Sequence, residues 1–169
     1  VDGSGNPYLG GYFQNANLTT PVLTKIGTND AFVLKLDGGT GAVTWAQNFG
    51  GSGAYASGLV LAVDGSGNPY LGGNFGNANL SMPALTKIGT SDAFVVKLDA
   101  GTGAVTWAQN FGGSGAYAIG QALAVDGSGH PYLGGFFGSA NLTTPALTKI
   151  GTNDAFVLKL DAGTGAVTW

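Results

Sequence analysis

Apolar residues in this chain arrive in short runs cut by Gly, Asp, Asn and Pro, and the runs recur in a fixed order. Each period offers four of them. They are "GLVLAVD" (Gly58–Asp64, with its sister "GQALAVD" at Gly120–Asp126), "PYLGGYF" (Pro7–Phe13), "DAFVLKLD" (Asp30–Asp37) and "AVTWAQNF" (Ala42–Phe49). All are rich in Val, Leu, Phe, Tyr or Trp, and none holds a helical period beyond a turn or two, which predicts strands and no helix. In "DAFVLKLD", Phe32, Leu34 and Leu36 fall on one face and Ala31 and Val33 on the other. A sheet with one wet face would alternate apolar with polar, so two apolar faces predict a sheet sandwiched between neighbours.

The punctuation between runs has its own chemistry. In "DGSGN", Asp2 can accept backbone N–H groups ahead of it, and Gly3 and Gly5 are placed to supply positive φ. "DGGTG" at Asp37 and "DAGTG" at Asp99 and Asp161 predict tight hairpin turns. Only the second and third strands are joined by a long segment, Gln14–Asn29, long enough to carry function.

The whole pattern repeats at 62 residues: "VDGSGNPYLGG" begins at Val1 and Val63, and "VDGSGHPYLGG" at Val125. A fixed period of this size predicts a solenoid, propeller or array. Four hairpin-linked antiparallel strands per period suit a propeller blade, with a stack of open sheets as the rival. The expected divisions are residues 1–62 (first strand missing), 63–124, and 125–169 (cut within the fourth strand). The fold class expected is therefore all-β, as four-stranded antiparallel propeller-type blades in tandem, incomplete in a single chain. Beginning and ending inside a repeat, the sequence reads as a window on something longer.

The motifs "AVDGSGNPYLGG", "TNDAFVLKLD" and "WAQNFGGSG" resemble those of the bacterial beta-propeller repeat family (SBBP). The resemblance covers nearly the whole chain three times over. It implies extracytoplasmic bacterial proteins, placing this chain outside the cell or on its surface. The Pro after "GN" and the "NLTTP" loop depart from the family pattern, which leaves the loop's role open.

Composition narrows the chemistry. Hydrophobic residues make up 44% of the 169, so a packed core is possible, while charged residues make up only 9% against ~25% in ordinary soluble domains. There is no Glu, Arg or Cys; six lysines and nine aspartates leave a net charge of -3. Without a basic patch, phosphate-driven nucleic-acid binding has little to work with. Without cysteine there are no disulfides or thiolate metal sites, and no apolar run approaches the ~20 residues of a membrane-spanning helix.

Candidate sites follow from what remains. "DGSGN" offers Asp2, Ser4 and Asn6, fewer carboxylates than calcium prefers; a turn is the simpler role, calcium the alternative, and no other cofactor is expected. His130, the one histidine, replaces Asn6 and Asn68 and reads as neutral drift in a turn. Lys35, Lys97 and Lys159, in mid-strand beside repeated aspartates, are expected to pair or to snorkel rather than to activate a substrate. Lys25, Lys87 and Lys149 lie in the long segment. Every Asp and Lys recurs in all three copies, which suits structure better than one catalytic centre, so no enzyme is expected. Trp45, Trp107 and Trp169 recur after "GAVT"; packing between blades is the simpler role, and sugar stacking the alternative. Tyr55 and Tyr117 would offer more exposed rings for a glycan. Asn17, Asn79 and Asn141 sit in N-x-[ST] sequons, which matter only in a glycosylating secretory route.

The leading expectation is thus a non-enzymatic structural or interaction module. Apolar end faces would lead it to associate with other copies of itself, or with further repeats of a longer parent. The result would be a ring, two chains giving six blades being the simplest, or a filament. A multivalent, lectin-like glycan-binding module is the alternative.

Overall fold

The computed structural model describes residues 1–169, and every regular element in it is a strand. The first unit holds β1 (Tyr8–Gln14), β2 (Leu18–Thr19), β3 (Val22–Leu23), β4 (Asn29–Leu36) and β5 (Val43–Phe49). The central unit holds β6 (Tyr55–Val63), β7 (Pro69–Gly76), β8 (Leu80–Ser81), β9 (Ala84–Leu85), β10 (Ser91–Leu98) and β11 (Val105–Phe111). The third holds β12 (Tyr117–Val125), β13 (Pro131–Gly138), β14 (Leu142–Thr143), β15 (Ala146–Leu147) and β16 (Asn153–Lys159).

The central unit is a four-stranded antiparallel meander in the order β6-β7-β10-β11. The first unit repeats it as β1-β4-β5, and the third as β12-β13-β16 with a single bridge, Leu160 to Val167, where a fourth strand begins. Successive units are stitched by one-residue parallel bridges, Asn29 to Tyr55 and Ser91 to Tyr117. These bridges join the three meanders into one continuous path that does not close. The hydrogen-bonded unit and the sequence period have the same length but differ in phase. β6 crosses the 62/63 boundary, because Tyr55–Ser57 pairs with Gly76–Asn74 before a bulge at Leu59.

Packing explains the patterning. One apolar cluster joins Ala31, Val33 and Phe49 of the first unit to Leu71, Phe75, Phe94, Val96 and Leu98 of the central unit. A second joins Ala93, Val95, Trp107 and Phe111 of the central unit to Leu133, Phe137, Phe156 and Leu158 of the third. The core therefore lies between units, and β10 sends alternate residues into both clusters. At roughly 1.5–3 kcal/mol for each fully buried large apolar side chain, most of the driving force sits at these two seams. The outer units have one seam each. Val33 and Val95 are fully buried, but the matching Val157 is 58% exposed; Leu71 and Leu133 are fully buried, but Leu9 is 54% exposed.

Two local expectations change. In the "DGSGN" turn only Gly5 has positive φ. The Asp2 carboxylate already holds the turn by accepting the N–H groups of Ser4 and Asn6, so Gly3 needs no unusual backbone. The long segment is not all loop, because it contains the two-residue hairpin β2–β3, repeated as β8–β9 and β14–β15.

Candidate interaction surface

The polar side chains of the repeat converge on the seams. In each unit a lysine lies over a tyrosine ring, 5.1–5.3 Å from its centroid (Lys35 over Tyr8, Lys97 over Tyr70, Lys159 over Tyr132). The tyrosine in turn meets a tryptophan with centroids 5.9–6.0 Å apart (Tyr8–Trp45, Tyr70–Trp107, Tyr132–Trp169). From this cluster three donors reach into the next unit. Tyr8 Oη donates to Gly67 O at 2.8 Å, Lys35 Nζ to Ala100 O at 3.1 Å and Trp45 Nε1 to Ala100 O at 3.1 Å. One period later Tyr70 Oη reaches Gly129 O at 3.1 Å, and Lys97 Nζ and Trp107 Nε1 reach Ala162 O at 3.0 and 3.1 Å. The expected ion pairs are also present: Lys35–Asp2 at 3.1 Å, Lys97–Asp64 at 3.8 Å and Lys159–Asp126 at 3.8 Å.

Glycine makes room for the tryptophans. Gly103 and Gly165, both at positive φ, lie so close beneath the Trp45 and Trp107 rings that a Cβ would come within 2.5 Å. Trp107 is buried and Trp45 half-buried, whereas Trp169 is 62% exposed. Tyr55 and Tyr117 are half-buried at the parallel bridges, and Tyr117 Oη donates to Asn153 Oδ1. Of the five aromatic residues singled out for glycan contact, only Trp169 presents a largely free ring.

Asn17, Asn79 and Asn141 are exposed, and in each copy Oδ1 accepts a backbone N–H from the lysine eight residues on (Lys25, Lys87, Lys149) at 2.8 Å. The sequon asparagines thus close the small hairpins. An aspartate anchors each long segment from below, buried in the first two copies (Asp30, Asp92) and half-buried in the third (Asp154). Asp92 is fully buried and accepts from Ile88 N at 2.7 Å, Gly89 N at 2.8 Å and Asn110 Nδ2 at 2.8 Å; Asp30 has the same partners one period earlier. Nothing in the sequence reading flagged this aspartate. Its signal was recurrence beside "AFV", a buried run in which a charge needs a purpose.

His130 keeps the turn but loses a cross-link. Asp126 Oδ1 still accepts from Ser128 N at 2.9 Å and His130 N at 3.0 Å. In the other copies the Asn side chain also accepts a neighbouring turn's N–H: Asn6 from Gly38 at 3.0 Å, Asn68 from Ala100 at 3.1 Å. The imidazole supplies no such bond, and its buried Nδ1 lies 3.4 Å from Asp126 Oδ1 without a hydrogen-bond partner.

The turn aspartates titrate low. The Asn6 N–H holds the Asp2 carboxyl well below its ordinary value of 3.8, and the His130 N–H does the same for Asp126. Burial pushes Asp64 up, but bonds from the Asn68 side chain and backbone outweigh it and leave the carboxyl low. The Thr40, Thr102 and Thr164 hydroxyls lower Asp37, Asp99 and Asp161. A carboxylate with a depressed folded-state value adds stability that is complete above its unfolded value and is lost as pH falls through the folded one. Urea unfolding midpoints should therefore hold near neutrality and drop progressively below about pH 4. A midpoint unchanged at pH 3 would mean these carboxylates do not hold the turns.

No family model matches the chain. Among curated proteins it is similar to the Regulatory protein FlaEY of Caulobacter vibrioides, with 30% identity over 141 residues. The match covers 80% of this chain and 14% of the relative, so the chain spans about one seventh of that protein's length.

Proposed function

We propose that this chain is a non-enzymatic structural or interaction module. Its antiparallel units are β-propeller-type blades, set outside the cytoplasm, that complete a ring or filament with further units of the same kind. One observation carries the reading. The Lys, Tyr and Trp of the first two repeats are spent on the next unit, at identical sequence spacings, rather than gathered around a single cleft. The motifs shared with bacterial beta-propeller repeats support the same reading.

The glycan-binding alternative has less support, because Trp45 and Trp107 are engaged between units. A glycan array tests the choice. The structural reading expects no sugar to be retained above background. Retention abolished by Trp169→Ala or Tyr117→Ala would replace it with the lectin-like one.

A further inference from the structure

The two end faces of this chain are the two halves of a seam it already makes twice. We propose that a second copy of the chain docks head to tail, its first unit against the third unit of the first copy. This rests on the reading of the units as stacking blades, and it deepens that reading by naming the partner and the contacts.

The internal seams define what such a joint needs. Leu71 of the central unit points at Gly10 of the first, where a Cβ would come 2.8 Å from Leu71 Cδ1; Leu133 points at Gly72, where the distance would be 3.2 Å. The leucine that starts this series, Leu9, is 54% exposed, and the glycine that ends it, Gly134, meets no leucine. Trp45 covers Gly103 and Trp107 covers Gly165; Trp169 is 62% exposed, and Gly41, at the same positive φ of 72°, has nothing within 4 Å. The donors match as well. By the spacing of the internal pairs, Tyr132 Oη would reach Gly5 O of the second copy, and Lys159 Nζ and Trp169 Nε1 would both reach Gly38 O. Knob faces hole, and donor faces acceptor, on opposite ends of one molecule. That is a heterologous contact, and it repeats or closes rather than pairing like with like.

The joint links separate molecules, so docking is concentration dependent, unlike the covalently joined seams.

The test is sedimentation velocity of residues 1–169 over a range of concentrations. Two variants each block one end and leave the fold intact. Leu9→Asp places a charge on an already exposed knob. Gly134→Leu fills the hole, at a site where a Cβ would make only ordinary contacts, with Ala122 Cβ at 3.4 Å and Phe156 O at 3.9 Å. Wild type should form assemblies of two or more chains, and each variant alone should remain a single chain with an unchanged circular dichroism spectrum. An equimolar mixture of the two variants should give a one-to-one pair and nothing larger. Trp169→Ala, which alters an exposed ring, should weaken wild-type association several-fold and serves if either blocking variant fails to fold. A wild type that stays single at every concentration would overturn the proposal. So would a blocking variant that still self-associates, a mixture that does not pair, or a Trp169 face that takes a glycan instead. None of those results would by itself separate the units within a chain, so the stacking-blade reading would survive them.

Discussion

Gly73→Ala should cost at least about 3 kcal/mol of unfolding free energy, while Gly11→Ala, at the same place one repeat earlier, should cost within about 1 kcal/mol. Gly73 lies in β7 and Gly11 at the matching place in β1, and neither has a positive φ, so the difference is space alone. The bulge at Leu59 drives the Ser57 carbonyl toward β7, and a Cβ on Gly73 would stand 1.9 Å from that oxygen. The oxygen belongs to a paired strand fixed on both sides, so it cannot retreat without breaking the β6–β7 ladder. Gly135 repeats the conflict at 2.0 Å from Ile119 O. At Gly11 a Cβ would meet the Phe32 ring, 3.1 Å away, and that ring can shift a few tenths of an ångström. Urea unfolding of the three alanine variants reads this directly. Equal losses at Gly11 and Gly73 would mean that the bulge is not where the structure puts it. With natural domains stable by only ~5–15 kcal/mol, Gly73→Ala and Gly135→Ala are also expected to reduce soluble yield.

The sequence carried much of this fold, and particular residues account for the rest. The 62-residue period, the four runs per period and the two apolar faces of "DAFVLKLD" correspond to strands that pair in order and to a β10 buried on both sides. The run "GLVLAVD" marked only part of β6, because Tyr55–Ser57 lies beyond the bulge and its alternation is broken there. The hairpins β2–β3, β8–β9 and β14–β15 were invisible to periodicity. Two residues per strand are too few to show alternation, and what holds the segment is Asp30, Asp92 and the sequon asparagines rather than apolar spacing. The seam was half legible. Recurrent Lys, Asp and Trp were visible, and pairing and packing were the expected roles. But the groups that Lys35, Trp45 and Tyr8 donate to are backbone carbonyls 55–65 residues away, and a carbonyl carries no mark in a sequence. The glycines beneath the tryptophans were read as turn formers, which they also are; only the structure adds that Gly103 and Gly165 are floors for a ring.

The account rests on units that are stabilised chiefly by their neighbours, and lengthening the array tests that most directly. Repeating residues 63–124 once gives a four-unit chain with one additional seam; introducing Leu9→Asp into both chains keeps each a single molecule during the measurement. Stability in such arrays is a sum of unit and nearest-neighbour contributions. At ~0.05–0.15 kcal/mol per residue, a further 62 residues should add about 3–9 kcal/mol. Urea unfolding should remain one transition, with a steeper denaturant dependence because more surface is exposed and with a higher midpoint than the three-unit chain. An unchanged midpoint, or a second separate transition for the added unit, would show that each unit stands alone and would contradict the account.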